Sequence, residues 1–122
     1  MYISDAAKRS GLSQDTIRFY HKSGMLPPLP RDEKGWRLFR KSDVDWLITL
    51  ERLRATGMPL CEVKRFATSA HAENCDSDAE RKMRLEILQN HKVELGKNRA
   101  ALDACDAYLT HKITIYSAPK EP

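Results

Sequence analysis

Leucine recurs every seven residues at Leu88, Leu95, Leu102 and Leu109, and Tyr116 continues the series. Leu85 and Ile113 occupy the complementary position of the same heptads. A 3.5-residue average spacing keeps one apolar edge on one side of an α-helix, which is the signature of a coiled coil. Ser77-Asp78-Ala79-Glu80 offers a capping box at the start, and no proline interrupts the run before Pro119. The spacing therefore predicts one helix over residues 78–116. At ~1.5 Å per residue it would extend for roughly 58 Å. Residues 1–70 cannot cover a seam of that length, and the simplest cover is a second copy of the same helix. Lys92, Arg99 and Asp106 also fall on the seam. A parallel pair would set each against its own copy, whereas an antiparallel pair lets Lys92 or Arg99 meet Asp106. The charges favour the antiparallel homodimer.

The chain ahead of this helix reads as a series of short, well-punctuated elements. Ser4 opens a helix over residues 4–10. Ser13 caps a second, with Asp15 in its first turn and Gly24 after its end. Two short helices joined by a glycine-containing turn form a helix-turn-helix candidate. Pro27, Pro28 and Pro30 then forbid helix. Asp32-Glu33-Lys34-Gly35 is a turn signal and Trp36-Arg37-Leu38-Phe39 an aromatic strand, so residues 29–39 read as a β-hairpin wing. Ser42 opens the next helix with Asp45 as its capping-box partner, and Val44, Leu47, Ile48 and Leu50 to Leu53 form its apolar face. Gly57 ends it. Pro59 starts another helix, with Leu60, Val63 and Phe66 inward. The polar stretch from His71 to Asp76 breaks the pattern.

Charge is distributed unevenly. Residues 1–57 hold 11 Lys/Arg against 7 Asp/Glu, while residues 58–122 hold 10 of each. A basic first half attached to a neutral remainder fits a phosphate-binding surface. Charged residues within the first 20 positions exclude a signal peptide, and no apolar stretch is long enough to span a bilayer, so a cytoplasmic location is expected. No nucleophile–base pair, phosphate loop or metal motif is present, which argues against an enzyme and against a bound cofactor.

Three groups of residues together resemble the MerR family of bacterial regulators. They are Ser13-Gln14-Asp15-Thr16-Ile17-Arg18-Phe19-Tyr20 with Gly24-Met25-Leu26-Pro27-Pro28, then Arg31 with Gly35-Trp36-Arg37-Leu38-Phe39, then Asp43-Val44 and Leu53-Arg54-Ala55-Thr56-Gly57-Met58. The resemblance covers residues 1 to about 116. It implies a mainly α fold: a winged helix-turn-helix head with a small β-hairpin wing, followed by a long antiparallel coiled-coil dimerisation helix. The corresponding division is a head over 1–70, a linker over 71–77, the dimerisation helix over 78–116 and a flexible tail over 117–122. It also implies a homodimer on a near-palindromic promoter operator, whose over-long spacer is distorted so that RNA polymerase can use it, with activation or repression as the result.

With that docking, the second helix enters the major groove by its N-terminal residues. Ser13, Gln14, Asp15, Thr16, Arg18 and Lys22 are its DNA-facing candidates. Arg18 suits a guanine edge or a phosphate. Tyr20 offers a phosphate-binding hydroxyl. Phe19 stands where the family often has a second tyrosine, and lacking that hydroxyl it also reads as core. Arg31, Lys34, Gly35, Trp36 and Arg37 form the wing contacts, Trp36 equally suited to packing the hairpin onto the head. Arg40 and Lys41 can also reach phosphate. The dimer contacts are Leu85, Leu88, Leu95, Leu102, Leu109, Ile113 and Tyr116.

Metal-sensing members of the family carry cysteines after the dimerisation helix. Here the segment after Tyr116 is Ser-Ala-Pro-Lys-Glu-Pro, so no metal site is expected, and His71, Cys75 and His111 are not required to meet. Drug-binding members carry an effector domain after this helix, and this sequence shows none. Cys75, in a polar segment just before a helix, is the candidate sensor of thiol-reactive or oxidative signals. Cys61 and Cys105 read as packing residues. The competing readings are an architectural DNA-binding protein without effector and a coiled-coil interaction module without DNA.

Overall fold

The computed structural model describes residues 1–120. Among these residues the regular structure is helical: α1 (Ile3–Ser10), α2 (Gln14–Lys22), α3 (Lys41–Ala55), α4 (Leu60–Ala70) and α5 (Asp78–Ser117). The chain divides into two units, one covering Met1–Ile87 and the other running from Leu88 onward.

In the first unit, local chemistry sets most helix ends. Ser13 Oγ accepts the Thr16 amide at 3.1 Å and so satisfies one of the free donors at the start of α2. Gly24, at φ 77°, takes the left-handed conformation that ends it. The start of α3 differs from expectation by two residues. Its capping carboxylate is Asp43, not Asp45, and its N-cap is Arg40, not Ser42. The reason is burial. Asp43 is only 2% exposed and must be satisfied within the protein. It accepts from Arg40 N at 2.8 Å, Arg40 Nε at 3.0 Å and Arg40 Nη2 at 3.3 Å, while Arg40 Nη2 also reaches the Pro28 carbonyl at 3.2 Å.

α1 packs on α2 and α3, and α3 on α4. Ile17, Met25, Leu47, Leu50 and Val63 are fully buried at the centre of this arrangement. The Trp46 indole stacks on Phe66 with ring centroids 5.5 Å apart, and its Nε1 donates to the Met25 carbonyl at 2.8 Å. That bond ties the loop after α2 to α3. Leu60 is more exposed than an inward position requires, at 37%.

The expected hairpin over 29–39 is reduced to one isolated antiparallel bridge between Arg31 and Arg37. Asp32 N donates to the Trp36 carbonyl at 2.9 Å and Leu38 N to the Pro30 carbonyl at 2.7 Å. Side-chain bonding replaces further ladder bonds: Asp32 Oδ1 accepts both Lys34 N and Trp36 N at 2.9 Å. Prolines 27, 28 and 30 have no amide to donate. Gly35, at φ 82°, closes the turn.

The first turns of α5 belong to the same unit. Ser77 Oγ accepts Glu80 N at 3.2 Å, but the Glu80 carboxylate does not return to Ser77; it accepts from Ser69 Oγ at 2.6 Å. Arg84 donates to the Ser69 carbonyl (3.0 Å), Ser69 Oγ (2.8 Å) and the Cys75 carbonyl (2.7 Å). Ile87 is buried and Met83 partly so, anchoring this end of the helix to the core.

From Leu88 the helix continues to Ser117, one residue past the expected end. Leu88, Leu95, Leu102, Leu109, Ile113 and Tyr116 are exposed in the single chain, Tyr116 most of all, as is Leu85 in the preceding turn. Of the expected tail, Glu121 and Pro122 lie outside the described residues. No helix among the described residues is long and apolar enough to cross a membrane.

Removing the buried cap is expected to matter. Asp43→Ala should lower stability by about 1–2 kcal/mol, because Arg40 N loses its acceptor and α3 its N-terminal anchor. A thermal melt measures this, and an unchanged midpoint would show that the network contributes nothing.

Candidate nucleic-acid interface

The exposed face of α2 is polar and partly self-paired. Arg18 Nη1 donates to Asp15 Oδ1 at 3.0 Å and Nη2 to Gln14 Oε1 at 3.2 Å. The two charged side chains are 48% and 96% exposed, so the pair is screened and cheap to open. Ser13 Oγ and Thr16 Oγ1 lie 2.8 Å apart. Lys22 is exposed in the last turn. Phe19 is 46% exposed, which corrects its reading as core, whereas Tyr20 is 3% exposed and packs its ring inward. Burial pushes the Tyr20 hydroxyl above its ordinary pKa, with Arg54 opposing and Glu51 adding to the shift.

Residues 29–39, the expected wing, are strapped to the start of the chain. Met1 donates its ammonium to the Phe39 carbonyl at 2.9 Å and accepts Phe39 N at 2.7 Å. Tyr2 donates its hydroxyl to Asp32 Oδ2 at 2.5 Å, and its ring meets the Trp36 indole edge-on at 5.8 Å. Trp36 nevertheless stays 60% exposed, so it does not pack the wing into the core. Arg31 Nη1 donates to the Gly35 carbonyl at 2.7 Å, which stiffens the turn and leaves the rest of the guanidinium outward. Lys34 is exposed at the tip. Arg37 is half-buried, and its Nε is buried without a hydrogen-bond partner. His21 is held below its usual pKa by burial first and then by Arg37 and Arg31.

These pieces converge. A cleft of about 540 Å³ lies between α2, the start of α1 and the wing, lined by Gln14, Arg18, Arg31, Gly35, Trp36 and Arg37 together with Tyr2, Ile3 and Ser4. Three guanidiniums on one concave surface, with no carboxylate in the lining, form an anion-attracting strip. Gln14, Arg18, Arg31, Gly35, Trp36 and Arg37 were candidates from the sequence; Tyr2, Ile3 and Ser4, the N-cap and first turn of α1, were not, because only the tertiary packing of α1 brings them beside α2 and the 31–37 turn. On the other flank of α2, Asp15, Thr16, Phe19 and Tyr20 line a second depression of about 470 Å³ with Leu12, Leu60 and Arg54. Arg54 was not among the candidates read from the sequence. It sits at the end of α3 and donates to the Met58 carbonyl at 3.2 Å.

Arg40 is committed to Asp43 and Pro28, while Lys41 is exposed. Cys61 is exposed, which corrects its reading as a packing residue; Cys105 is exposed in the single chain, like the heptad leucines around it, and Cys75 is half-buried.

Comparison with known proteins gives a consistent result. The family model described as "MerR HTH family regulatory protein" matches residues 1–70. An uncharacterized HTH-type transcriptional regulator of Haemophilus influenzae is 36% identical over 115 residues, covering 94% of this chain and 82% of that protein. The HTH-type transcriptional regulator YyaN of Bacillus subtilis, also uncharacterized, is 30% identical over 128 residues, covering 98% and 93%. Among solved structures, HiNmlR, a MerR family regulator lacking the sensor domain and bound to promoter DNA, superposes with a TM-score of 0.81 at 34% identity, covering 95% of this chain and 85% of that one.

Proposed function

This chain belongs to the MerR family of helix-turn-helix regulators and is a transcriptional regulator, and we propose that it binds its promoter as a homodimer, with α2 in the major groove and the wing on the flanking backbone. The observation that carries this reading is the convergence of Arg18, Arg31 and Arg37 on one cleft beside the exposed N-terminal face of α2. Arginine is suited to both roles needed there, bidentate recognition of guanine and phosphate contact. HiNmlR, which is similar over nearly the whole chain, is bound to promoter DNA in its crystal.

Within this reading, residues 1–70 form the winged head, 71–77 the linker and 78–116 the dimerisation helix. The wing acts as a short turn carrying Arg31, Lys34 and Arg37 to the phosphates, with Gly35 and Trp36 approaching the sugar-phosphate. Ser13, Gln14, Asp15, Thr16 and Lys22 approach from α2, and Tyr20 by its hydroxyl edge. The row Leu85, Leu88, Leu95, Leu102, Leu109, Ile113 and Tyr116 forms the seam of an antiparallel coiled coil. Its exposure in the single chain supports this, since a contiguous apolar row of that length needs a partner. The paired helices then fix the separation of the two reading heads, matched to the operator half-sites. Distortion of the DNA between them presents the promoter to RNA polymerase. Cys75 is the thiol through which reactive electrophiles or oxidants act. Arg84 grips its carbonyl, so a bulky adduct there would press on the Ser69–Arg84 contacts that hold the start of α5.

Arg18→Ala should weaken operator binding at least tenfold in a gel-shift titration and leave the melting midpoint unchanged, because the side chain is exposed. Wild-type affinity would reject the docking. Leu102→Glu, which places a carboxylate in the middle of the seam, should sediment as a monomer and lose operator affinity; an intact dimer would reject the seam. Cys75→Ser should abolish any response of a promoter reporter to electrophiles, and a preserved response would remove Cys75 from sensing.

A further inference from the structure

The depression on the Leu12 flank of α2 differs chemically from the arginine cleft. Phe19, nearly half exposed, lines it together with Leu12, Thr16 and Leu60. Exposing an aromatic ring on the otherwise polar reading face of a helix forgoes burial that would have favoured folding, so the ring's benefit lies in what covers it. Thr16 strengthens the apolar character. Its hydroxyl is 2.8 Å from Ser13 Oγ, which leaves its methyl as the unengaged part of the side chain. The charges on the rim oppose one another. Asp15, with its side chain 96% exposed and paired to Arg18, lines the depression as Arg54 does, so this flank lacks the uniform positive field that would draw in a phosphate. What fits is an uncharged base edge with an apolar projection, and in the major groove only thymine supplies one, its 5-methyl group.

We propose that Phe19, supported by Leu12, Thr16 and Leu60, reads a thymine methyl in each operator half-site, giving the protein a specificity determinant separate from Arg18. This rests on the major-groove docking of α2 proposed above.

The test removes only the methyl. In an operator duplex defined by footprinting the DNA upstream of the coding sequence, each thymine of the two half-sites is replaced in turn by deoxyuridine, which keeps base pairing and hydrogen-bonding groups. For the wild-type protein, one symmetry-related pair of positions should lose affinity about fourfold per half-site, the value of one buried methyl-sized group. Phe19→Ala should bind thymine and uracil duplexes equally at those positions, and Phe19→Leu should retain part of the preference. Because the ring is half-exposed, both variants are expected to fold, and their melting curves check this. A wild-type footprint insensitive to every methyl overturns the inference while leaving the docking intact, as does an unchanged preference in Phe19→Ala. Absence of any footprint overturns the proposed docking and this inference with it. If Phe19→Ala unfolds, the Phe19→Leu preference decides alone: full wild-type sensitivity overturns the inference, and reduced sensitivity supports it.

Discussion

The arrangement of the arginine-lined cleft depends on how Phe39 is held. Its side chain is 2% exposed, and its backbone exchanges two hydrogen bonds with Met1. Buried backbone groups must find partners, and here the first residue of the chain supplies them. The consequence reaches the wing through neighbouring contacts. Tyr2 follows Met1 and bonds Asp32, and Asp32 accepts the amides that shape the turn. Arg31 and Arg37 bracket that turn. These five hydrogen bonds place two arginines beside Arg18 with almost no strand pairing. A wing of one bridge would be poorly determined alone; anchored to a buried phenylalanine, it has a definite place.

A second polar assembly connects the head's last short helix to the beginning of α5. Ser69, 5% exposed, is shared between Glu80 and Arg84, and Arg84 extends to the Cys75 carbonyl. Charge-assisted hydrogen bonds of this kind are shorter and stronger than neutral ones and are sensitive to geometry. Ile87 adds the apolar part of the anchor. His71 lies nearby, edge-on to Trp46, and burial pushes its imidazole below the ordinary pKa, with Asp43 opposing the shift and Arg84 adding to it. The turn-rich segment between α4 and α5 is therefore tied down at several points, and it contains Cys75.

Much of the fold was legible because the relevant signals are local. Ser13 as a cap, Gly24 and Gly35 in left-handed geometry, and the proline cluster ahead of the wing each act through their own backbone. The misreadings share a cause. Ser42 and Asp45 make as good a capping box on paper as Arg40 and Asp43 do in the protein, and the choice between them was made by burial of Asp43 beneath Arg40. Glu80 had an equally good local partner in Ser77 and took Ser69 instead. Phe19 and Cys61 looked like packing residues from their type alone, and Leu60 from its spacing, but all three are exposed. Ile87 falls between heptad positions and was overlooked, yet it is the α5 residue buried in the core.

By itself the sequence determined the helix-turn-helix order, the polar face of α2, the arginines around the 32–35 turn and the heptad row on α5, because spacing and backbone preference are properties of adjacent residues. The tertiary structure alone decided which of those side chains share a surface. Tyr2 and Arg37 are 35 positions apart, and Leu60 and Phe19 are 41 apart; no local rule brings either pair together. They meet because α1, α2, α3 and α4 close over the same apolar centre, and the surface residues are carried to their places by that packing.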